Sequence, residues 1–326
     1  MTNKVVICGV GMIPFRKPGE SMGYELMGKG AAMAALKDAN LSYDKIDQAF
    51  CSYVYGDSCA GQTALYNIGI TGIPITNVNN NCASGSTAFA LAAQAIKYGV
   101  SECVMALGFE QMSPGAIELI FPDRLSPVNR HTEAVADLLN LTAKERELPP
   151  AVLLFGCQAE LLMNEYDISE KTLAQITVKS RLHAQHNPCA IYRNPMTIEE
   201  VLAKPPIYRG LRKFFACPPS CGAASVIVCS EAFAKKHNLN IKVTLKGSGW
   251  TSDKAEFFES SPLDVAFRGL SRESANLAYE DAGVTPEDID IIELHDCFTS
   301  NEIITYSALG LCKEDEMEKF VLEGNN

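Results

Sequence analysis

Apolar and polar positions along the chain alternate between two periods. VVICGVG at 5–11 reads as a buried strand running into a glycine turn, and KIDQAFCSY at 45–53 as a second strand. ITNVNN at 75–80 predicts a third, and SECVMALG at 101–108 a fourth. Helical patterns separate them, at 21–40 and from Ala83 to Tyr98. Strands alternating with helices predict an α/β fold with a mostly parallel sheet. Further on, GAASVIVCS at 222–230 reads as a strand that could rejoin that sheet, and IDIIEL at 289–294 as another.

The helix over 83–98 has a middle, TAFALAAQAI, of small apolar side chains on nearly every side. A helix apolar all round is buried all round. That predicts a place between two sheets, in a layered α-β-α-β-α arrangement.

The arrangement is doubled in the sequence. AAMAALKDANLSYDKIDQAF at 31–50 aligns with SANLAYEDAGVTPEDIDIIE at 274–293, so that Ala35, Asp38 and Ala39 meet Ala278, Asp281 and Ala282. Upstream, CGVGM at 8–12 aligns with KGSGW at 246–250. A strand–helix–strand order shared at two places argues for duplication. The first half is expected over 1–120, completed by 214–235, and a partial second half over 236–326. Between them, 121–213 is rich in Pro, His and Arg, as in HAQHNPCAIYRNP and KPPIYRGLRKFF, and reads as an inserted loop-rich domain. The second half holds only its first two strands and no counterpart of the helix over 83–98.

Composition narrows the classes. The 326 residues are 47% hydrophobic and 21% charged, an ordinary globular balance, and no apolar run is long enough to span a bilayer. The net charge of −11 argues against general nucleic-acid binding, and an anionic substrate would need a local basic patch. The 12 cysteines show no C-x-x-C spacing, so no structural metal site is expected, and they fit a reducing compartment.

Two clusters carry candidate chemistry. In NNNCASGS, Cys82 lies between a strand and the start of a helix, where unpaired N–H groups favour a thiolate. A helix terminus supplies up to about 2 kcal/mol, which would bring a thiol from about 8.5 to about 7. The alternative is a small buried core residue. In IDIIELHDCFTSNE, His295 follows a strand and precedes a helix, placed for chemistry or for filling a turn. His131, His183, His186 and His237 lie in loops or exposed helices and are not expected to act.

NNNCASGS, ALGFEQMS, GAASVIV and ELHDCFTSNE, with VYGDSCAGQ, TGIPITNVNNNC and ITYSALGLC, resemble the thiolase superfamily over essentially the whole chain. The similarity is greatest to its sterol carrier protein X, or lipid-transfer, branch, in which the HDCF stretch is specific. The resemblance implies the layered fold and a homodimer. It implies cleavage of 3-oxoacyl-CoA, branched or with a sterol side chain, by coenzyme A as co-substrate. Cys82 then matches the acyl-accepting nucleophile, its N–H one oxyanion donor, and His295 the imidazole that helps bind the thioester oxygen. Lys179, Arg181, Arg209, Arg212 and Lys213 are the candidates to hold the CoA phosphates. Two family stretches are missing, Gly-His-Pro and Cys-x-Gly-x-Gly, which bring the activating base and the second acid/base. Cys221 stands where relatives carry Asp. The chain therefore resembles a truncated form of such an enzyme. The competing expectations are a catalytically incomplete lipid or acyl-CoA binding protein or subunit, and a ketoacyl synthase. The resemblance implies a peroxisomal place in a eukaryote and a cytoplasmic one in a bacterium.

Overall fold

A strand persists only where a neighbour takes its backbone hydrogen bonds, and in a computed structural model describing residues 2–114 and 121–326 the early strands find those neighbours in one sheet. The chain runs β1 (Val5–Met12), α1 (Tyr24–Ala39), β2 (Gln48–Ser52), α2 (Ala60–Tyr66), β3 (Ile75–Val78), α3 (Ser84–Lys97) and β4 (Cys103–Gln111). It continues through α4 (Asn129–Leu138), α5 (Ala143–Arg146), α6 (Pro150–Glu165), α7 (Glu170–Ala184) and α8 (Ile198–Leu202). A small hairpin, β5 (Pro206–Tyr208) and β6 (Leu211–Arg212), precedes β7 (Cys221–Ser230), α9 (Glu231–Lys236) and β8 (Val243–Thr244). Last come α10 (Phe257–Ser260), α11 (Pro262–Val265), α12 (Arg268–Ala282), α13 (Thr299–Ala308) and α14 (Met317–Leu322).

Two units emerge. The first comprises Met1–Ala116, Pro188–Ile191 and Pro219–Lys246, and the second Ile117–Asn187, Tyr192–Pro218 and Gly247–Asn326. The first is a sheet of order β3-β2-β4-β7-β1-β8 between helices. Alternation along β4 divides its side chains: Cys103, Met105 and Leu107 join α1 and α2 on one face, while Val104 and Ala106 join α3 on the other. GAASVIVCS does rejoin this sheet, between β4 and β1. The sheet is mixed rather than mostly parallel: β2 runs parallel to β3 and β4, but β7 is antiparallel to both its neighbours. Parallel pairing is imposed by helical crossovers, and β7 returns from a distant segment free of that constraint.

The duplication is visible in three dimensions. A Cβ added at Gly9 or Gly11 would lie 2.5 or 2.3 Å from the carbonyl oxygens of Ala35 or Ala31, so the bare strand rests on α1. At Gly247 and Gly249 the same addition would meet the Ala278 and Ser274 carbonyls at 2.7 and 2.1 Å, on α12. Asp38 accepts the Val10 N–H at 2.9 Å, and Asp281 that of Ser248 at 3.1 Å. Both helices end in a left-handed residue, Asn40 and Gly283, each followed by a single turn of 3-10 helix at Tyr43–Lys45 and Pro286–Asp288.

Three expectations change. IDIIEL forms no ladder among the described residues: a strand needs a neighbour to take its backbone hydrogen bonds, and no pairing is found for it. The segment 121–213 is largely helical rather than loop-rich. Its α6 is a long apolar helix with Pro150 in the first turn, and α5 and α8 begin in capping boxes, Thr142 with Glu145 and Thr197 with Glu200. Finally, α3 is not buried all round: Ala88, Ala92, Ala95 and Ile96 lie on the sheet, whereas Phe89, Ala90 and Leu91 are half-buried. The second unit packs its core between α6, α7, α13 and α14. Among the described residues, no helix is long and apolar enough to cross a membrane.

Candidate active site

Cys82 lies where the carboxyl ends of three adjacent strands come together. After β3 the chain turns through Asn79, Asn80 and Asn81, the last in the left-handed region at φ 47°. The turn is tied down by its own side chains. Ser84 Oγ donates to the Asn81 carbonyl at 2.6 Å and accepts the Asn80 N–H at 2.8 Å, and Asn80 Nδ2 reaches Thr87 Oγ1 at 3.0 Å. This leaves Cys82 exposed just before α3, beside Gly85, which has no neighbour within 4 Å of where a Cβ would stand. Among the described residues the N–H groups of Gly85 and Ser86 find no acceptor, as expected in a first helical turn.

The thiol is not activated as expected. Protein on its inner side desolvates the sulfur and pushes its pKa above the ordinary value, outweighing the hydrogen bond from its own N–H. Helical geometry begins only at Ser84, so the terminus acts from two residues away. Cys82 Sγ lies 4.0 Å from Asn81 Oδ1, and its charge is felt by Tyr55; neither side chain is a base at neutral pH.

His295 belongs to the second unit. The 243-residue offset of the repeat aligns it in sequence with Ser52, the last residue of β2, but the expected strand before it does not form among the described residues. Its carbonyl accepts Asn301 Nδ2 at 2.7 Å, tying the HDCF stretch to the first turn of α13. Phe298 stacks on Phe155 of α6 at 4.1 Å, and Cys217 donates its N–H to the Cys297 carbonyl at 2.8 Å. Desolvation lowers the His295 pKa against the opposing pull of Asp296, so the imidazole is neutral at pH 7 and offers one N–H.

The five basic candidates separate into two groups. Lys179 is paired with the buried Glu302 and bonded to Tyr306 at 3.0 Å. Arg209 is paired with Glu145, at 2.7 Å, and with Glu160. Arg212 grips Glu170 with two nitrogens, at 3.0 and 2.8 Å. By contrast, Arg181 lies 4.6 Å over the Tyr192 ring and Lys213 is exposed, and among the described residues neither has a carboxylate partner. Desolvation lowers the Arg181 pKa, against a smaller opposing pull from Tyr192.

One position departs from the sequence reading. His131 is on helix α4 but mostly buried rather than exposed, against the rings of Phe258 and Phe267 and 3.2 Å from Asp253. Cys221 is wholly buried, its thiol reaching the Met112 carbonyl at 3.5 Å, a site that suits a neutral group. Among the described residues, no group of three His, Cys, Asp or Glu side chains is placed to hold a metal ion.

A family profile described as "Thiolase, N-terminal domain" matches residues 5–202, and one described as "Thiolase C-terminal domain-like" matches residues 255–326. The chain belongs to the thiolase family. Among curated thiolase relatives, sterol carrier protein 2 of Bos taurus is 41% identical over 330 residues, covering 100% of this chain and 60% of its own length. The chain thus spans less than two thirds of that relative. Benzoylsuccinyl-CoA thiolase subunit BbsB of Thauera aromatica is 31% identical, with 100% of this chain and 80% of that one covered. Solved structures share the thiolase fold. Human mitochondrial 3-ketoacyl-CoA thiolase in complex with CoA superposes at TM-score 0.71, with 18% identity over 99% of this chain and 93% of that one. The Ltp2-ChsH2(DUF35) aldolase does so at 0.78, with 22% identity over 99% and 81%.

Proposed function

We propose that this chain carries the acyl-transfer half of thiolytic cleavage of 3-oxoacyl-CoA, with Cys82 as the acyl acceptor. The observation that carries the reading is the exposed Cys82 ahead of α3, next to open space at Gly85 and two unengaged N–H groups. In the reaction the sulfur attacks the 3-keto carbon, and the C2–C3 bond breaks. The electron pair leaves on acetyl-CoA, which takes up a proton, and the acyl group remains on Cys82 as a thioester. The thiol of CoA then attacks that thioester and regenerates the cysteine. The unengaged N–H groups suit an oxyanion as it develops. The neutral His295 imidazole donates to the thioester oxygen, and Arg181 and Lys213, free of carboxylates, hold the CoA phosphates. A branched or sterol-derived acyl chain, a homodimer, and a peroxisomal or, in a bacterium, cytoplasmic place belong to the same reading.

A second reading is a thiolase-like subunit or acyl-CoA binding protein that does not turn over. The raised Cys82 pKa, set by desolvation, favours this one. Intact-mass measurement after incubation with an acyl-CoA separates the two, with Cys82→Ala as control. An acyl adduct on Cys82 supports the first reading. Binding without any adduct supports the second and overturns the first.

A further inference from the structure

Two sequence stretches, VYGDS and GFEQMS, have no part in the reaction as derived above, yet the fold brings both to Cys82. The strands β3, β2 and β4 are neighbours, with Ser52 beside Val78 on one side and Gly108 on the other. Cys82 follows β3, Tyr55 follows β2, and Glu110 is the last residue but one of β4. They therefore emerge at the same end of the sheet.

The connection between them is specific. The Glu110 carboxylate accepts the N–H of Val54 at 2.9 Å and that of Tyr55 at 3.2 Å, crossing from β4 to the segment after β2. Two backbone donors at a loop that leaves the sheet would otherwise have no strand to bond, and a charged acceptor holds both. Next to it, Tyr53 stacks on Phe109 at 5.2 Å, so the segment is fixed on both faces. Tyr55 lies close enough to Cys82 for a charge on the sulfur to reach the phenol.

We propose that Tyr55 is the neutral hydrogen-bond donor that stabilises the charged sulfur of Cys82, and that Glu110 is the positioning residue that holds Tyr55 there. This rests on Cys82 being the nucleophile. A phenol suits the place because it does not titrate near neutral pH and keeps its proton when the neighbouring sulfur loses one. Burial, then Glu110, then Cys82 all raise the Tyr55 pKa, which keeps it a donor. Glu110 itself touches no reacting atom and acts through the backbone of Val54 and Tyr55.

The test is the pH profile of Cys82 alkylation by iodoacetamide, read by peptide mass spectrometry, with exposed Cys217 of the same chain as reference. Tyr55→Phe keeps the ring and removes the donor. It is expected to slow Cys82 at neutral pH roughly tenfold and to move its midpoint upward, leaving Cys217 unchanged. Glu110→Ala is expected to do the same, and Glu110→Gln, which keeps a carbonyl acceptor, to restore most of the rate. A purely structural role for Glu110 would lower stability without moving the midpoint. If Glu110→Ala does not fold, Tyr55→Phe and Glu110→Gln still decide the matter. An unchanged Cys82 midpoint in Tyr55→Phe overturns the proposal. Failure of the nucleophile reading shows separately, as a wild-type chain that takes no acyl group on Cys82.

Discussion

Asp281 accepts the backbone N–H of Ser248 at 3.1 Å, repeating in the second copy the bond that Asp38 makes to Val10. In each copy a carboxylate at the end of a helix holds the x of a Gly-x-Gly stretch while both glycines lie against that helix. The contact leaves no room for a methyl group: at Gly11 a Cβ would lie 2.3 Å from the Ala31 carbonyl. Gly11→Ala and Gly249→Ala are each expected to cost about 2–4 kcal/mol through overpacking. Asp38→Ala and Asp281→Ala are expected to cost about 1–3 kcal/mol by stranding a backbone donor. Urea unfolding measures all four. Parallel losses in the two copies would show that the repeat is one structural device used twice, and a neutral Gly249→Ala would refute it.

Cys82 gives a prediction of opposite sign from the one its position suggests. Desolvation raises its pKa above that of an ordinary thiol. Its alkylation rate is therefore expected to keep climbing above about pH 9.5, where a thiol of ordinary pKa, about 8.5, levels off. A plateau near pH 7 would mean that the N–H groups at the start of α3 dominate after all.

Much of this architecture is legible in residue patterns because the relevant contacts are local or repeated. Asp38 and Asp281 fall in register in the sequence alignment itself, and the glycines opposite Ala35 and Ala278 report a close helix–strand approach. The direction of β7 was not legible, since nothing in GAASVIVCS encodes which way a returning strand enters. The failure of IDIIEL to form a ladder was equally hidden, because pairing depends on a neighbour and not on the segment's own alternation. For 121–213 the signals were present and outvoted. Thr142 with Glu145 and Thr197 with Glu200 have capping-box spacing, but the surrounding prolines and arginines suggested loops. The position of Cys82 between β3 and α3 followed from chain order. Tyr55 and Glu110 did not, since the bond linking them spans 55 residues.

His295 is expected to titrate below the ordinary histidine value of about 6.5. Its folded pKa is lowered by desolvation, so the unfolded chain takes up the proton first as pH falls. The stability tied to this group is full above about 6.5 and is lost as pH drops through that value towards the folded pKa. NMR titration of the imidazole measures the midpoint directly. Asp296 pulls in the opposite direction, so Asp296→Asn is expected to move the midpoint further down.

The basic residues of the second unit allow a test that separates structure from binding. Lys179 neutralises Glu302, which is 3% exposed, so Lys179→Ala leaves a buried carboxylate unpaired at a cost of about 3–5 kcal/mol. Arg212→Ala breaks a two-pronged pair with the more exposed Glu170 and is expected to cost less, about 1–3 kcal/mol. Arg181 gives up only its contact with the Tyr192 ring, so Arg181→Ala is expected to stay within about 1 kcal/mol of the wild type. If that unpaired guanidinium meets a phosphate of CoA, the same substitution weakens CoA roughly tenfold or more. Calorimetric titration with CoA, beside urea unfolding of the three variants, reads both effects. Arg181→Ala with unchanged CoA affinity and Lys179→Ala with unchanged stability would together reverse the assignment, making Lys179 the ligand-facing cation and Arg181 a surface residue.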